Sequence, residues 1–493
     1  MVLDKSFLYD KLKGIVGPEN VTDKEIIMEA YTASIVWYAG LTERQIETPK
    51  KPDFIVRAGS TEEIQEIVRL ANQYKVPIVP IGAFTGVYRG AVPLEGGIML
   101  DMSRMKNIEI DEDIMTVTLE PGVNWAHAYR ELAVKGYWIS AQALPAYPSV
   151  LGSTTQAGAH LPMYKRASGG AYSTLTIGME VVLPTGELLV TGSAALPRAK
   201  PARARAYGPD VGALFLGAQG TLGIVTKQTL PLWRIPEARH VVTGSFKDEN
   251  FKGIVRAIRR IYDDQFEGPI WAEAIWGVYK GEAALKPWKR PGEWEFYVHL
   301  YGRKETVEYY REFAEKIIIE EGGTIGESEF PETETDYSAQ MYEEAIYWRP
   351  RANSIILAGS TIDRNRITAS APDHKLPELY DAALGVLAKH GVPKSRLHTG
   401  LFRAGVRSQS FSLTYFYDLT DAEEVRRTEA INEEWARVTG TKRPQFVVGG
   451  YRPSPVAAKT LMPQLGEYYQ LLKTLKRTLD PNRIMNPGKL MDL

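Results

Sequence analysis

The first strong pattern of apolar and polar positions in the chain predicts a β-α-β unit. The apolar run Asp53-Phe54-Ile55-Val56-Arg57 predicts a short strand. Ser60 and, three residues later, Glu63 form the capping box that begins a helix. Residues 64–71 place apolar side chains at helical spacing, and Val76-Pro77-Ile78-Val79-Pro80 predicts the next strand. The short connections join these elements into one unit.

More strands follow a glycine-rich stretch at residues 82–90. The pattern predicts strands at 97–102 and 116–123, a helix at 124–135, a hairpin at 178–190, a helical turn at 211–215 and a strand at 220–226. Pro184-Thr185-Gly186 supplies the turn of the hairpin. The first half is therefore predicted to be mixed helix and sheet joined by loops rich in small residues.

The sequence changes near residue 237, where glycine becomes sparser and strands alternate with amphipathic helices. Strands are predicted at 241–246, 294–301, 353–363 and 409–418, and helices at 251–262, 307–321, 421–439 and 463–478. This pattern is typical of a separate α+β domain built on an antiparallel sheet.

Composition excludes several classes of function. Among 493 residues, 59 Lys and Arg balance 60 Asp and Glu, so the chain lacks the basic excess of a nucleic-acid binder. The absence of cysteine excludes disulfides, thiol nucleophiles and thiolate metal sites, and the seven histidines show no metal-ligand spacing. No apolar run is long enough for a membrane span, and the N-terminus lacks a signal-peptide core. We expect a cytoplasmic protein without a metal.

The stretch Gly82-Ala83-Phe84-Thr85-Gly86-Val87-Tyr88-Arg89-Gly90 has the composition of a phosphate-binding loop. Glycines let consecutive backbone N–H groups converge on one anion. A plain surface turn would use the same residues. Three companion segments favour the phosphate interpretation: the turn at 120–123, the small-residue loop at 152–158 and the run at 217–223.

Three strings make the chain resemble a known superfamily. They are Tyr207-Gly208-Pro209-Asp210, Gly220-Thr221-Leu222-Gly223-Ile224-Val225-Thr226-Lys227, and Leu479-Asp480-Pro481 with Asn486-Pro487-Gly488-Lys489. With them, nearly the whole chain resembles the vanillyl-alcohol oxidase/p-cresol methylhydroxylase flavoproteins. The resemblance implies an α+β protein with a two-part PCMH-type FAD-binding domain at 1–236 (core 48–236). It also implies an α+β cap domain with an antiparallel sheet at 237–445, and a C-terminal return to the FAD domain at 446–493.

The same resemblance implies FAD as the cofactor and indicates which residues hold it. The implied binding residues are Pro80, Ile81, Gly82, Ala83, Phe84, Thr85, Gly86, Val87, Pro121, Gly122, Ser149, Leu151, Gly152, Ser153, Gly158, Gly223, Ile224, Val225, Asn486 and Lys489. Thr85 stands where relatives attach FAD through a histidine, and residues 353–361 offer no His or Tyr at the second attachment point. We therefore expect noncovalent FAD.

The hydroxy-acid branch, which resembles glycolate oxidase and D-lactate dehydrogenase, carries a catalytic Gly-Glu-His-Gly-Val-Gly string. This chain has Gly449-Gly450-Tyr451-Arg452-Pro453 there. The branch also carries a metal-associated string with two histidines. Here the string is His398-Thr399-Gly400-Leu401-Phe402-Arg403, with a single histidine. Both departures count against hydroxy-acid chemistry.

The phenol-oxidising branch resembles this chain at the same position. Tyr451 and Arg452 match its Tyr-Arg pair, Tyr88 matches a third member, and Arg407 aligns loosely with a cap arginine. An arginine and two tyrosine hydroxyls would stabilise the phenolate form of a para-substituted phenol. Hydride would then leave the para α-carbon for the flavin, and water or tautomerisation would complete the product.

Phenol oxidases also carry an acidic residue near the flavin, whereas Ala171 occupies that position here. A different substrate or a different base would resolve this departure, and His160 in a small-residue loop is a further candidate base. We predict an FAD-dependent oxidoreductase acting on a para-substituted phenol or aromatic alcohol.

Three alternatives stay open: a D-2-hydroxy-acid dehydrogenase, a redox-neutral transferase resembling alkylglycerone-phosphate synthase, and a flavin-free partner subunit. The expected partners are a small-molecule substrate, an electron-transfer protein and a second copy of the chain. Neither nucleic acid nor a membrane span is expected.

Overall fold

The computed structural model describes residues 5–32, 50–84, 90–139, 148–157, 176–264, 271–280, 292–326, 362–405, 408–418, 420–440 and 462–491. Its helices are Lys5–Val16 (α1), Glu25–Thr32 (α2), Thr61–Tyr74 (α3), Trp125–Ala133 (α4), Val150–Ala157 (α5), Phe251–Asp264 (α6), Lys304–Glu320 (α7), Leu376–Lys389 (α8), Ala422–Gly440 (α9) and Glu467–Leu479 (α10).

The strands up to residue 234 are Val21–Thr22 (β1), Phe54–Arg57 (β2), Ile78–Ile81 (β3), Ile98–Asp101 (β4), Ile108–Asp111 (β5), Thr116–Leu119 (β6), Tyr137–Trp138 (β7), Gly178–Val182 (β8), Leu188–Val190 (β9), Ile224–Pro231 (β10) and Trp233–Arg234 (β11). Those that follow are Ala238–Lys247 (β12), Trp271–Lys280 (β13), Glu293–Gly302 (β14), Thr324–Ile325 (β15), Ile362–Pro372 (β16), His398–Gly405 (β17) and Ser408–Asp418 (β18).

The first half contains two main sheets. One has the order β1-β2-β4-β3, with β2 and β3 both parallel to β4. The other is antiparallel, with the order β5-β6-β10-β8-β9. The predicted β-α-β unit is confirmed, with β4 inserted between its two strands.

Helix α3 begins where the sequence predicts it. The Ser60 hydroxyl accepts a hydrogen bond from the Glu63 N–H at 3.2 Å, while the Glu63 carboxylate accepts one from the Gly59 N–H at 2.7 Å. The apolar face of the helix, at Ile64, Ile67 and Val68, is completely buried. The cap and the buried face together fix α3 against the parallel sheet.

The second half forms one seven-stranded sheet with the order β15-β12-β14-β13-β17-β18-β16. Every pairing in it is antiparallel, which confirms the predicted sheet type. Helices α6, α7, α8 and α9 share one hydrophobic core with this sheet. The alternation of strands and amphipathic helices thus produces a helix layer on a sheet.

The C-terminal segment packs against the first half of the chain. Tyr469 of α10 lies in a core with Leu151 and Val181, and Ile78 of β3 bridges in parallel to Met485. The domain boundaries at 236 and 445 stay predictions.

The sequence interpretation did not predict β13 and α8 of the second half, nor several shorter elements, namely α1, α2, α5, β1, β5, β7, β11 and β15. Part of the strand predicted at 353–363 lies outside the described residues. Within the described ranges, no helix is long and apolar enough to cross a membrane. The same residues contain no group of three or more histidine, aspartate or glutamate side chains placed to hold a metal ion.

Candidate functional site

The segment that leads into the glycine-rich loop is held from both sides. Its strand β3 pairs with β4 on one side and with the C-terminal tail on the other. The Ile78 N–H donates to the Ile484 carbonyl at 2.7 Å, and the Asn486 N–H donates to the Ile78 carbonyl at 2.8 Å. The C-terminal string is therefore a structural part of the candidate cofactor site.

Gly82 lies where three chain segments meet. The buried Ser149 hydroxyl donates to the Pro121 carbonyl at 2.6 Å and accepts from the Gly152 N–H at 3.0 Å. A Cβ on Gly82 would lie 2.9 Å from the Ser149 Cβ and 3.0 Å from the Pro121 oxygen. Only a residue without a side chain fits this close approach without displacing its neighbours.

The run at 217–223 packs against strand β3, at Pro80. Gly220 has a φ of 71°, and a Cβ there would lie 2.4 Å from the Pro80 Cγ. The preceding Gln219 donates its N–H to the Thr155 carbonyl of α5 at 3.0 Å. Beyond this run, Ile224 begins β10, which pairs with β8. The structure thus brings together four of the segments that the sequence assigned to FAD.

Asn486 of the C-terminal string connects Gly90 of the glycine-rich stretch to the run at 217–223. Its Nδ2 donates to the Gly90 carbonyl at 2.8 Å and to the Gln219 carbonyl at 2.7 Å. Because both partners are carbonyls, the amide nitrogen must face them and Oδ1 must face the other way. That oxygen is buried and has no hydrogen-bond partner among the described residues. It is positioned to accept a hydrogen bond from a ligand.

A buried ion pair behind the site escaped the sequence interpretation. The Lys476 ammonium contacts the Asp480 carboxylate and donates to the carbonyls of Thr221 and Met485, both at 2.7 Å. Asp480 also accepts from the N–H groups of Ile484 (3.0 Å) and Met485 (2.9 Å). Burial lowers the pKa of Lys476, and the negative charge of Asp480 opposes that shift. The sequence signal for this ion pair is the i,i+4 spacing of Lys476 and Asp480, the aspartate of the Leu479-Asp480-Pro481 string.

Phe84, in the described first part of the glycine-rich stretch, contacts the N-terminal helix α2. Phe84, which has a φ of 53°, stacks on Tyr31 with 5.5 Å between ring centroids. The Tyr31 hydroxyl donates to the buried Asp101 carboxylate at 2.8 Å. Burial, followed by the nearby Asp101 charge, raises the pKa of Tyr31 to about 12.

Tyr31→Phe should reduce stability in a pH-dependent way. The folded-state pKa of about 12 exceeds the ordinary value of 10.0, so the tyrosine contributes stability below pH 10 that disappears as pH rises through 12. Since Tyr31 is only partly buried, we expect a loss of about 1 kcal/mol at pH 8 and a smaller one at pH 11. Urea unfolding at both pH values measures it. In an Asp101→Asn background the difference between the two pH values should shrink but persist, because burial, the larger cause of the raised pKa, remains.

Of the remaining residues predicted to bind FAD or to act in catalysis, some are described by the structure and others are not. Lys489 is buried, and Leu151, Ser153, Gly223 and Val225 lie in the elements just described. All five predicted catalytic residues, and four of the loop residues, lie outside the described part of the chain: Tyr88, His160, Arg407, Tyr451, Arg452, Thr85, Gly86, Val87 and Gly158.

The described residues fit a dinucleotide cofactor. Backbone segments without bulky side chains approach one another at Gly82 and Gly220, and Asn486 presents a buried acceptor beside them. FAD carries hydroxyl and imide donors that such an acceptor can bind. These observations agree with the FAD site that the sequence implies.

Comparisons with known proteins support the same cofactor. Residues 52–192 match the FAD binding domain family, and residues 456–490 match the C-terminal domain of FAD linked oxidases. The glycolate oxidase subunit GlcD of Bacillus subtilis is 26% identical, over 98% of this chain and 96% of that protein. The 4-cresol dehydrogenase flavoprotein subunit of Pseudomonas putida is 24% identical, over 89% and 87%.

Among solved structures, the 4-ethylphenol oxidase of Gulosibacter chungangensis in its isoeugenol complex has a similar fold. Its TM-score is 0.79 at 21% identity, and the match covers 99% of this chain and 97% of that one. The match confirms the predicted α+β fold.

Proposed function

Since this chain is an FAD-linked oxidase or dehydrogenase, we propose that its substrate is a para-substituted phenol or a similar aromatic alcohol. The observation that carries the proposal is the Tyr451-Arg452 pair, which replaces the Glu-His of the hydroxy-acid string. The likeness to 4-cresol dehydrogenase over most of the chain supports it. Noncovalent attachment, the electron acceptor, the homo-oligomer and the cytoplasmic location stay predictions.

The residues of this pair suit a phenolate. Arginine stays charged at any physiological pH, and tyrosine hydroxyls at 451 and 88 would donate to the same phenolic oxygen. Each unit by which they lower the phenol pKa corresponds to ~1.4 kcal/mol of preferential binding of the phenolate. The negative charge then drives loss of hydride from the para α-carbon. Bound FAD supplies the two-electron acceptor.

A D-2-hydroxy acid is the second candidate, because the curated relatives include glycolate oxidase. In that case Arg452 would bind the substrate carboxylate as a bidentate partner. The single histidine of the string at 398–403 weighs against this candidate.

An anaerobic absorbance titration distinguishes the two. We expect 4-alkylphenols and vanillyl alcohol to bleach the flavin band near 450 nm, and D-lactate and glycolate to leave it unchanged. Arg452→Met should slow bleaching by phenols roughly 100-fold or more, because it removes the charge that stabilises the phenolate. Arg477→Met, at an exposed position of α10, is the matched control. Bleaching by hydroxy acids alone would contradict the proposal.

A further inference from the structure

The parallel sheet of the first half has two apolar faces, and different elements cover them. Successive side chains of a strand point to opposite faces. One face packs against α1 and α3, in a core that includes Val56, Ile78 and Leu100. The other face carries a smaller cluster, each member at most 3% exposed: Ile55, Val79, Ile81 and Met99. Because β3 runs directly into the glycine-rich stretch, this second face lies beside the candidate cofactor loop.

Helix α2 and both flanks of the glycine-rich stretch pack against this second face. Met28 and Tyr31 come from α2, Phe84 lies near the start of the stretch, and Ala91 directly follows it. The helix and the stretch therefore share one apolar cluster, so the position of either one affects the packing of the other.

Phe84 has a backbone conformation that needs support from outside the loop. Its φ of 53° lies in the left-handed region, which bulky residues seldom occupy. The Tyr31 ring stacks on the Phe84 ring with an angle of 21° between the planes. The Tyr31 hydroxyl donates to the Asp101 carboxylate, which also accepts from the Ser103 N–H at 2.8 Å. Tyr31 is thus fixed at its hydroxyl and holds Phe84 in place two residues after Gly82.

Helix α2 is attached to the rest of the chain by few contacts. It has eight residues, and those at 25–27, 29 and 30 are exposed. Exposed ion pairs join Lys51 to Glu25 at 2.6 Å and to Glu29 at 3.9 Å, and such pairs contribute little stability. A helix of this length is not stable by itself. It can therefore leave the sheet by local opening while the core stays folded.

We propose that α2 is a strap that holds the glycine-rich stretch in its FAD-binding conformation, and that release of FAD proceeds through opening of this strap. Tyr31 is the positioning residue, since it acts on the cofactor loop through Phe84. The inference rests on the assignment of the stretch to FAD and is independent of the substrate. By thermodynamic linkage, FAD must stabilise the strap by as much as the strap strengthens FAD binding.

The rate of FAD release tests the strap. FAD-loaded protein is diluted far below its dissociation constant, and flavin fluorescence is followed over time. Tyr31→Ala should accelerate release roughly tenfold, because it removes both the aromatic stack and the hydrogen bond. Tyr31→Phe retains the stack and should accelerate release by a smaller factor. It also serves if Tyr31→Ala does not fold.

Tyr74→Ala is the matched control on the opposite face of the sheet. Tyr74 is also partly buried, and its ring contacts the Phe7 ring with 5.7 Å between centroids. We expect this substitution to lower the melting temperature and to leave the rate of FAD release unchanged. Equal acceleration in the control would show that Tyr31 acts only through general stability, and would overturn the strap.

Amide hydrogen exchange supplies a readout that a merely structural role would not change. FAD should slow exchange in α2 roughly tenfold relative to the apoprotein and leave α1 unaffected. Identical exchange of α2 in the two forms, unchanged release in Tyr31→Ala, or flavin that stays attached to the denatured protein overturns the proposal. If Gly82→Ala also leaves FAD affinity unchanged, the assignment of the stretch to FAD is wrong as well. A normal effect of Gly82→Ala beside a silent Tyr31→Ala overturns the strap alone.

Discussion

Lys476→Met is expected to lower the free energy of unfolding by about 3–5 kcal/mol, the usual cost of breaking a buried ion pair from one side. The substitution leaves the Asp480 carboxylate without its cation and leaves the carbonyls of Thr221 and Met485 without their donor. Because these groups join α10, the 217–223 run and the C-terminal string, FAD should also be lost more readily. Urea unfolding and the flavin content after gel filtration measure the two effects.

Replacing the whole pair should not restore stability. In many proteins an apolar pair substitutes for a buried ion pair at little cost. Here the two side chains also satisfy four backbone groups, namely two carbonyls and two N–H groups. A Lys476→Met/Asp480→Leu protein would leave all four buried and unpaired. Arg477→Met, one position along the same helix but exposed, should behave as wild type. Full recovery in the double variant would show that the backbone contacts matter little.

The sequence predicts most of the elements but not the contacts that hold the site together. Periodicity and the Ser60–Glu63 capping box locate α3, because those signals are local. The Lys476–Asp480 pair was missed because an i,i+4 pair of opposite charges is typical of an exposed helix surface. Only the packing of the C-terminal tail against the first half shows that this pair is buried.

The two faces of the seven-stranded sheet were equally hard to anticipate. The run Glu293-Trp294-Glu295-Phe296-Tyr297-Val298 alternates apolar and polar residues, which is typical of a strand with one face in water. In the folded chain the polar face is buried as well, and Glu295 on it is only 2% exposed. Burial of that face is a property of the tertiary structure, which local pattern does not contain.

Gly82→Ala is the second substitution with a large expected effect, and it separates cofactor binding from folding. The added Cβ would lie 2.9 Å from the Ser149 Cβ and 3.0 Å from the Pro121 oxygen, so the loop must move away from α5. Overpacking of this kind costs about 1–3 kcal/mol. If only the FAD-bound form carries that cost, the affinity for FAD falls by roughly fivefold to 150-fold. Titration of apoprotein with FAD, followed by flavin fluorescence, measures that affinity.

The effect of the added methyl group depends on which state of the protein carries the strain. Gly82 is only partly buried and Ala83 is exposed. The apoprotein can therefore relax the backbone there without disrupting the core, whereas the FAD-bound form would have to hold it in place. We therefore expect the melting temperature of the apoprotein to change little and the increase produced by FAD to shrink. Gly14→Ala in α1, where a new Cβ meets no atom within 4 Å, should raise the melting temperature of the apoprotein slightly through helix propensity and leave the increase produced by FAD unchanged. Equal destabilisation of the apoprotein and the FAD-bound form would instead make Gly82 a packing residue of the fold, with no special part in holding the cofactor.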